Sequence, residues 1–308
     1  MNSAGPALNR SLIGVLSLCA GVFVFSMQDA ILKGLSGSHA VTLAIVLRSI
    51  VGLPLLLAMV WYENGLKSLR TKNWPLLLAR GLILLTSYTT YYLAFPALPL
   101  AEAVALFFTS PIFVTILAAV FLRERVTLKA WAAVVTGFIG VLIILRPGTG
   151  LFEPAALLSL LSAAAYAFSM ILARRYSADE STTVMAFYVN GVYMFAAAAV
   201  ALAFHLLGIT SAVHPSLDFL VRPWAMPGPR DLALMGLCGV IAALGMTLLT
   251  HAYRMARANL VTVFEYTGML WVPLWGFLFF AEVPRWTTVL GTLIIIAAGI
   301  FAVRSAKA

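Results

Sequence analysis

The sequence predicts an all-α integral membrane protein, with ten transmembrane helices arranged as two inverted five-helix repeats. Three observations predict it. Apolar runs near 20 residues recur along the 308-residue chain, each long enough to cross about 30 Å of hydrocarbon at about 1.5 Å of rise per residue. The basic residues at the ends of those runs are divided unequally between two sides. One stretch also echoes another 158 positions further on.

The composition excludes a soluble domain. The chain is 62% hydrophobic and 10% charged, where a soluble domain carries about 25% charged residues, and its mean hydropathy is +1.00. The net charge of +9 invites a nucleic-acid reading, but the basic residues stand singly or in pairs at the ends of apolar runs. There they anchor and orient helices, and no nucleic-acid partner is expected. Cys19 and Cys238 lie inside apolar runs, which points to neither a disulfide nor a metal site, and no cofactor is implied. The first run follows a single positive charge, Arg10, lacks a clear cleavage site and contains Gln28 and Asp29. It reads as a retained helix, not a signal peptide.

In order, the predicted helices are 11–32, 40–61, 75–96, 100–122, 129–146, 154–174, 182–207, 231–253, 259–280 and 286–303. The third is the weakest, being rich in Thr and Tyr. Residues 208–230 form the long connection, where Pro215, Pro223, Pro227 and Pro229 argue against any regular helix and Trp224 suits an interface. Of the 20 Lys and Arg residues, thirteen fall on the side of the N-terminus and five on the other, while Arg48 and Arg80 lie within helices. That bias places both termini in the cytoplasm and requires an even number of spans.

The echo relates Ala97–Thr127 to Met255–Arg285, with Thr109 on Thr267, Val114 on Val272, Phe121 on Phe279 and Glu124 on Glu282. Phe25-Ser26-Met27 recurs as Phe168-Ser169-Met170 in the same sense. An offset pairing helix four with nine divides the chain into 1–150 and 151–308, five spans each, so the two copies enter the membrane in opposite senses. Secondary transporters use that arrangement, with the solute site near the midplane between the halves.

Polar side chains too deep to reach the surface are the candidate site, because a charge at the bilayer centre costs about 2.5–3.5 kcal/mol on insertion scales. Arg48 lies nine residues into the predicted second helix. It suits a solute carboxylate or phosphate, or else an internal ion pair or broken-helix carbonyls. Glu265 is set against Phe107 in the echo. It is a candidate for a coupling proton or a cationic solute group, or simply a partner for an arginine. Tyr88 and Tyr92 share a helix face and offer rings and hydroxyls to a solute, although polar contacts of this kind also glue helices together. Gln28 is a lining candidate, Asn190 with Tyr193 a softer one, and Asp29 is placed to pair with Lys33 at i,i+4.

Gate or hinge candidates are Glu102, His251, Pro111, Gly268 and Pro273. Glu102 also suits the N-terminal dipole of its helix, His251 also suits an interface, and a proline break frees a carbonyl or only kinks the helix. Small residues of helices five and ten, among them Gly137, Gly140 and Gly291, permit close packing, and a homodimer stays open. A nucleotide-binding loop, a metal-ligand cluster and a Ser or Cys triad are all absent from the sequence, which speaks against an enzyme or an ATP-driven pump. The leading reading is a secondary carrier of one small solute, with proton or counter-solute coupling and lipid as its surroundings. A membrane enzyme or binding subunit is the competing class.

PLAEAVALFFTSPIFVTILAAVFLRERVT, the following AAVVTGFIGVLIILRPG, and FFAEVP in helix nine resemble the drug/metabolite transporter superfamily, specifically its ten-helix EamA family. That resemblance covers nearly the whole chain. It implies a bacterial inner-membrane carrier of small organic metabolites such as amino acids, vitamins or nucleoside-like compounds, with helices five and ten together at the periphery. FSMQDAILKGL and the arginine of IVLRSIVG are more similar to the branch of riboflavin and S-adenosylmethionine carriers than to aromatic amino-acid exporters.

Overall fold

A computed structural model describes residues 5–121, 128–146, 153–176, 180–255, 264 and 267–305. Among them the fold is all-α. We label the helices α1 (Gly5–Leu35), α2 (Val41–Asn64), α3 (Trp74–Ala94), α4 (Leu100–Phe107), α5 (Ser110–Phe121), α6 (Leu128–Leu145), α7 (Ala156–Tyr176), α8 (Thr182–Leu206), α9 (Pro215–Val221), α10 (Pro229–Met255), α11 (Gly268–Phe280) and α12 (Trp286–Ser305). A 3-10 turn, Leu66–Leu69, links α2 to α3.

The expectation of ten transmembrane helices in two inverted five-helix repeats is corrected here. Among the described residues, four helices are long and apolar enough to cross a membrane: Leu12–Leu35, Val41–Glu63, Thr183–Leu206 and Pro229–Leu249. Three of the other predicted spans differ in ways the structure makes visible. The predicted fourth helix is two helices, of 8 and 12 residues, parted at Phe108-Thr109, and neither reaches 30 Å at about 1.5 Å per residue. α3 has 21 residues but is diluted by Arg80 and a run of hydroxyl side chains. α11 has 13 residues, and most of the preceding part of the predicted ninth helix lies outside the described residues.

Residues 208–230 also differ from expectation, because Pro215–Val221 is helical. Pro215 stands in the first turn, where its missing N–H costs nothing, and His214 Nδ1 caps the turn by accepting from the Ser216 N–H at 3.2 Å. Proline excludes a helix interior but not a helix start.

Packing runs chiefly between early and late helices. α1 lies on α10, α2 on α8 and α10, α3 on α7 and α8, α4 and α5 on α7, α11 on α1 and α4, and α6 on α12. Two crossings are close enough to demand glycine. A Cβ on Gly239 of α10 would lie 2.4 Å from the Arg48 carbonyl oxygen of α2. At the α6–α12 crossing, a Cβ on Gly140 would lie 2.8 Å from the Gly291 oxygen, and one on Gly291 2.6 Å from the Gly140 oxygen. Helices five and ten of the sequence reading thus lie backbone to backbone.

One main cluster of buried apolar side chains joins α1–α4 to α7, α8 and α10, with Tyr92, Phe95, Leu100 and Leu106 almost fully covered. Large apolar side chains also face outward, Leu206 by 76%, Phe195 by 72% and Phe279 by 66%. A water-facing surface would not carry rings and branched chains at this density, whereas hydrocarbon accommodates them.

Candidate functional site

Five of the six solute-site candidates gather in the core. Arg48, at the start of the third turn of α2, is 5% exposed, and its guanidinium lies over the Tyr193 ring of α8, 5.5 Å from the centroid. Gln28 of α1 is 1% exposed, and its amide can face its neighbours in only one way. With the NH2 group toward Arg48, donor would meet donor. Turned the other way, Gln28 Oε1 accepts from Arg48 Nη1 at 3.2 Å and from the Tyr92 hydroxyl at 2.8 Å, while Nε2 donates to the Cys238 carbonyl at 3.0 Å. One neutral amide therefore joins α1, α2, α3 and α10.

The tyrosines form an arc around this junction. Tyr88 stacks on Tyr92 with centroids 6.2 Å apart and meets Tyr193 edge to face at 5.7 Å. The 3.6-residue period places Tyr88, Tyr91 and Tyr92 on one side of α3. Asn190, one turn before Tyr193, accepts at Oδ1 from the Ser49 hydroxyl at 3.2 Å. The Gly239 crossing lets α10 approach α2 at this level and so sets the depth of Arg48.

The expected Asp29–Lys33 pair does not form. Asp29 Oδ2 accepts instead from the Tyr91 hydroxyl at 3.0 Å, while Lys33 reaches Glu282 at 2.7 Å. The helical spacing permits the i,i+4 contact, but each side chain finds a better-placed partner on another helix. Glu265, the sixth candidate, lies outside the described residues.

Glu282 organises a second polar group at the end where α1 finishes. Ala281 leaves α11 in the left-handed region with φ 53°, and the Glu282 N–H returns to the Gly276 carbonyl at 3.0 Å. That turn directs the carboxylate at Lys33 and at the Leu100 N–H, 2.8 Å away at the start of α4. Lys33 also donates to the carbonyls of Phe95 (3.2 Å) and Leu98 (2.7 Å). Glu102, 7% exposed, accepts from the Thr288 hydroxyl at 3.0 Å. Glu102, Pro273, Gly276, Glu282 and Arg285 help to line a cavity of about 200 Å³ beside this group.

The remaining gate candidates are dispersed. Gly268 opens α11, where a Cβ would lie 3.1 Å from the Phe108 ring at the α4–α5 break. Pro111 is the second residue of α5, so the helix restarts around it instead of bending. His251 Nδ1 lies 3.1 Å from the Ser17 hydroxyl, joining α10 to α1 away from the tyrosines. Sequence reasoning missed Glu282, Arg80 and the full part of Tyr193. The signal for Glu282 was present in its alignment with Glu124, both closing an apolar run.

The EamA-like transporter family matches residues 12–146 and, a second time, residues 153–304. The pseudopaline exporter CntI of Pseudomonas aeruginosa is 30% identical over 96% of this chain and 97% of its own length. The S-adenosylmethionine uptake transporter of Rickettsia felis is 29% identical over 82% and 79% of the two chains. A riboflavin transporter of Vibrio cholerae is 32% identical over 75% and 72%. One solved crystal structure superposes with a TM-score of 0.62 at 18% identity, covering 97% of this chain and 98% of the other, a likeness of fold alone.

Proposed function

Starting from a chain that belongs to the EamA-like transporter family, we propose a secondary carrier that moves one small organic metabolite across the bacterial inner membrane by alternating access. One relative is named as an exporter and another as an uptake transporter, so direction is not shared along with sequence. The observation that carries the reading is the Gln28 junction. In a mainly apolar core, a guanidinium, an amide and phenols from four helices converge, with a carbonyl of a fifth, and no ion pair holds them among the described residues. Such a group stabilises a helix bundle poorly and recognises a polar solute well.

Gln28, Arg48, Tyr88, Tyr92 and Asn190 line or border the solute site, with Glu265 on the same path. Glu102 and Pro273, beside the Lys33–Glu282 pair, close the end where α1 finishes. Gly268 and Pro111 border the α4–α5 break as hinge points, and His251 holds α1 to α10 at the other end. Both termini lie in the cytoplasm, as the charge bias requires. Two halves, 1–150 and 151–308, rock about the site. Support comes from the packing: exchanging α1 with α7, α2 with α8 and α3 with α10 carries α1–α10 onto α7–α3, and α2–α10 onto α8–α3.

Counterflow in liposomes holding the purified full chain tests this. Liposomes preloaded with unlabelled amino acids, riboflavin, S-adenosylmethionine or nucleosides should take up the matching labelled solute faster than empty ones for at least one compound. Chemical conversion of a solute with no accelerated exchange would sink the carrier and favour a membrane enzyme.

A further inference from the structure

Arg80 takes no part in the junction at Gln28, and nothing in the helix packing explains it. It is 8% exposed, and among the described residues its Nη1 reaches the thioether sulfur of Met185 at 3.5 Å, a weak acceptor. Its Nε has no hydrogen-bond partner. The phenols that interact electrostatically with the guanidinium are Tyr166, Tyr193 and Tyr88, and the last two also interact with Arg48, beside Tyr92. Arg48 is near the start of α2 and Arg80 near the start of α3. Consecutive helices joined by a short link run in opposite directions, so the two cations approach the tyrosine pair from opposite ends of the bundle.

Among the described residues, neither arginine has an ion-pair partner, and Asp29 is engaged by Tyr91. A guanidinium cannot shed its proton, so both charges persist in a water-poor interior where an uncompensated charge is costly. Arg48 Nε also lacks a partner, as does the Tyr193 hydroxyl, which is 2% exposed. Three buried donors thus stand unused near the tyrosine cluster, and among the described residues none meets an acceptor.

We propose that the solute is an organic carboxylate, that Arg48 is its anchor, and that Arg80 is a second cationic station for the same anion at the far end of the tyrosine pair. Arg48 Nη1 is held by Gln28, which leaves Nε–H and the other terminal nitrogen to present a fork to the two oxygens of a carboxylate. Tyr193 donates from between the stations, and Tyr88 offers its face to the organic remainder. The solute carboxylate supplies the counter-charge that no described residue gives the two arginines within ion-pair distance, so a neutral analogue of the same shape gains little by entering. This inference rests on the carrier reading and adds the substrate class.

The test uses liposomes of the full-length protein and two panels of labelled solutes. One panel bears carboxylates: the amino acids, 3-phenylpropionate and S-adenosylmethionine. The other lacks them: riboflavin and nucleosides. Carried solutes are expected only in the first panel, and the methyl ester of a carried acid should compete at least tenfold more weakly than the acid. Arg48→Gln and Arg80→Gln should each lower uptake at least tenfold and erase the preference for acid over ester. The corresponding lysine variants should restore part of both, and Tyr193→Phe should lower uptake by a smaller factor. Gel filtration checks that the variants are folded, while the acid–ester comparison on the unmodified protein needs no variant.

Carriage of a carboxylate-free solute with Arg48→Gln unaffected overturns the anion site and leaves the carrier standing. An ester that competes as well as its acid does the same, as does inorganic phosphate outcompeting every carboxylate. Exchange of no solute in any arm overturns the carrier and the anion site together.

Discussion

Arg48 donates to an uncharged amide where a carboxylate would be the ordinary partner, and that exchange makes Gln28 the residue on which the junction depends. Its single carbonyl oxygen serves two donors on two helices. Gln28→Leu keeps the apolar stem and removes the acceptor, stranding the Tyr92 hydroxyl and one guanidinium N–H. Leaving a buried donor unsatisfied costs about 1–3 kcal/mol. Thermal unfolding of the purified protein in detergent should show a fall of that size, and Gln28→Glu should recover the loss by returning an acceptor. Arg48, Gln28, Tyr88 and Tyr92 stood out in the sequence because a polar side chain is costly that deep in an apolar run, although ion pairing or helix packing could account for each. Tyr193 was harder to read, since a tyrosine in a membrane helix is ordinary until a guanidinium is found over its ring.

Between elements, what decides the geometry is how closely backbones approach. Gly239→Ala would place a methyl 2.4 Å from the Arg48 carbonyl, so α10 must move away from α2. Overpacking of this kind costs about 1–3 kcal/mol. The variant should unfold at lower temperature and transport more slowly. Gly236→Ala, whose Cβ meets nothing nearer than Val51 at 3.7 Å, should match the unmodified protein on both measurements.

A second element carries a pH signature. Arg222 donates to Asp218 Oδ2 from Nη2 at 2.5 Å and Nε at 3.1 Å, and from Nη1 to the Ser36 carbonyl at 3.2 Å. It thereby straps α9 to the turn between α1 and α2. Those bonds hold the Asp218 carboxyl below its ordinary value of 3.8. A folded pKa below the unfolded one adds stability that is complete above 3.8 and is lost as pH falls through the lower folded value. Hydrogen exchange at amides 216–222 should stay slow at pH 5 and quicken only in stronger acid. Arg222→Leu removes the strap and the cause of the lowered pKa, so those amides should exchange faster already at pH 5 and lose most of the acid dependence.

For the whole molecule, apolar content announced the membrane, yet it could not announce continuity. A run such as Ala97–Thr127 has the length of a span, but the chain breaks at Phe108-Thr109, because Pro111 sits as comfortably in a new first turn as in a kink. Pairings across the bundle were equally hidden. Lys33 and Glu282 are 249 positions apart, and i,i+4 spacing offered Lys33 a nearer acid that it does not take.

The interleaved packing has a consequence for what happens when the chain is cut. Nearly every principal helix contact joins a residue before 147 to one after 152: α1 with α10, α2 with α8, α3 with α7, α6 with α12. Neither piece therefore owns a core that could persist alone, while the pair together retains all of it. Expressed as separate polypeptides, Met1–Gly148 and Thr149–Ala308 should each be degraded, and expressed together they should co-purify as a stoichiometric complex. Gly140→Leu, which jams the seam with Gly291, should abolish that reassembly before it unfolds the uncut chain. The peptide link between the halves is then a convenience of synthesis, and complementarity of the two surfaces is what keeps them together.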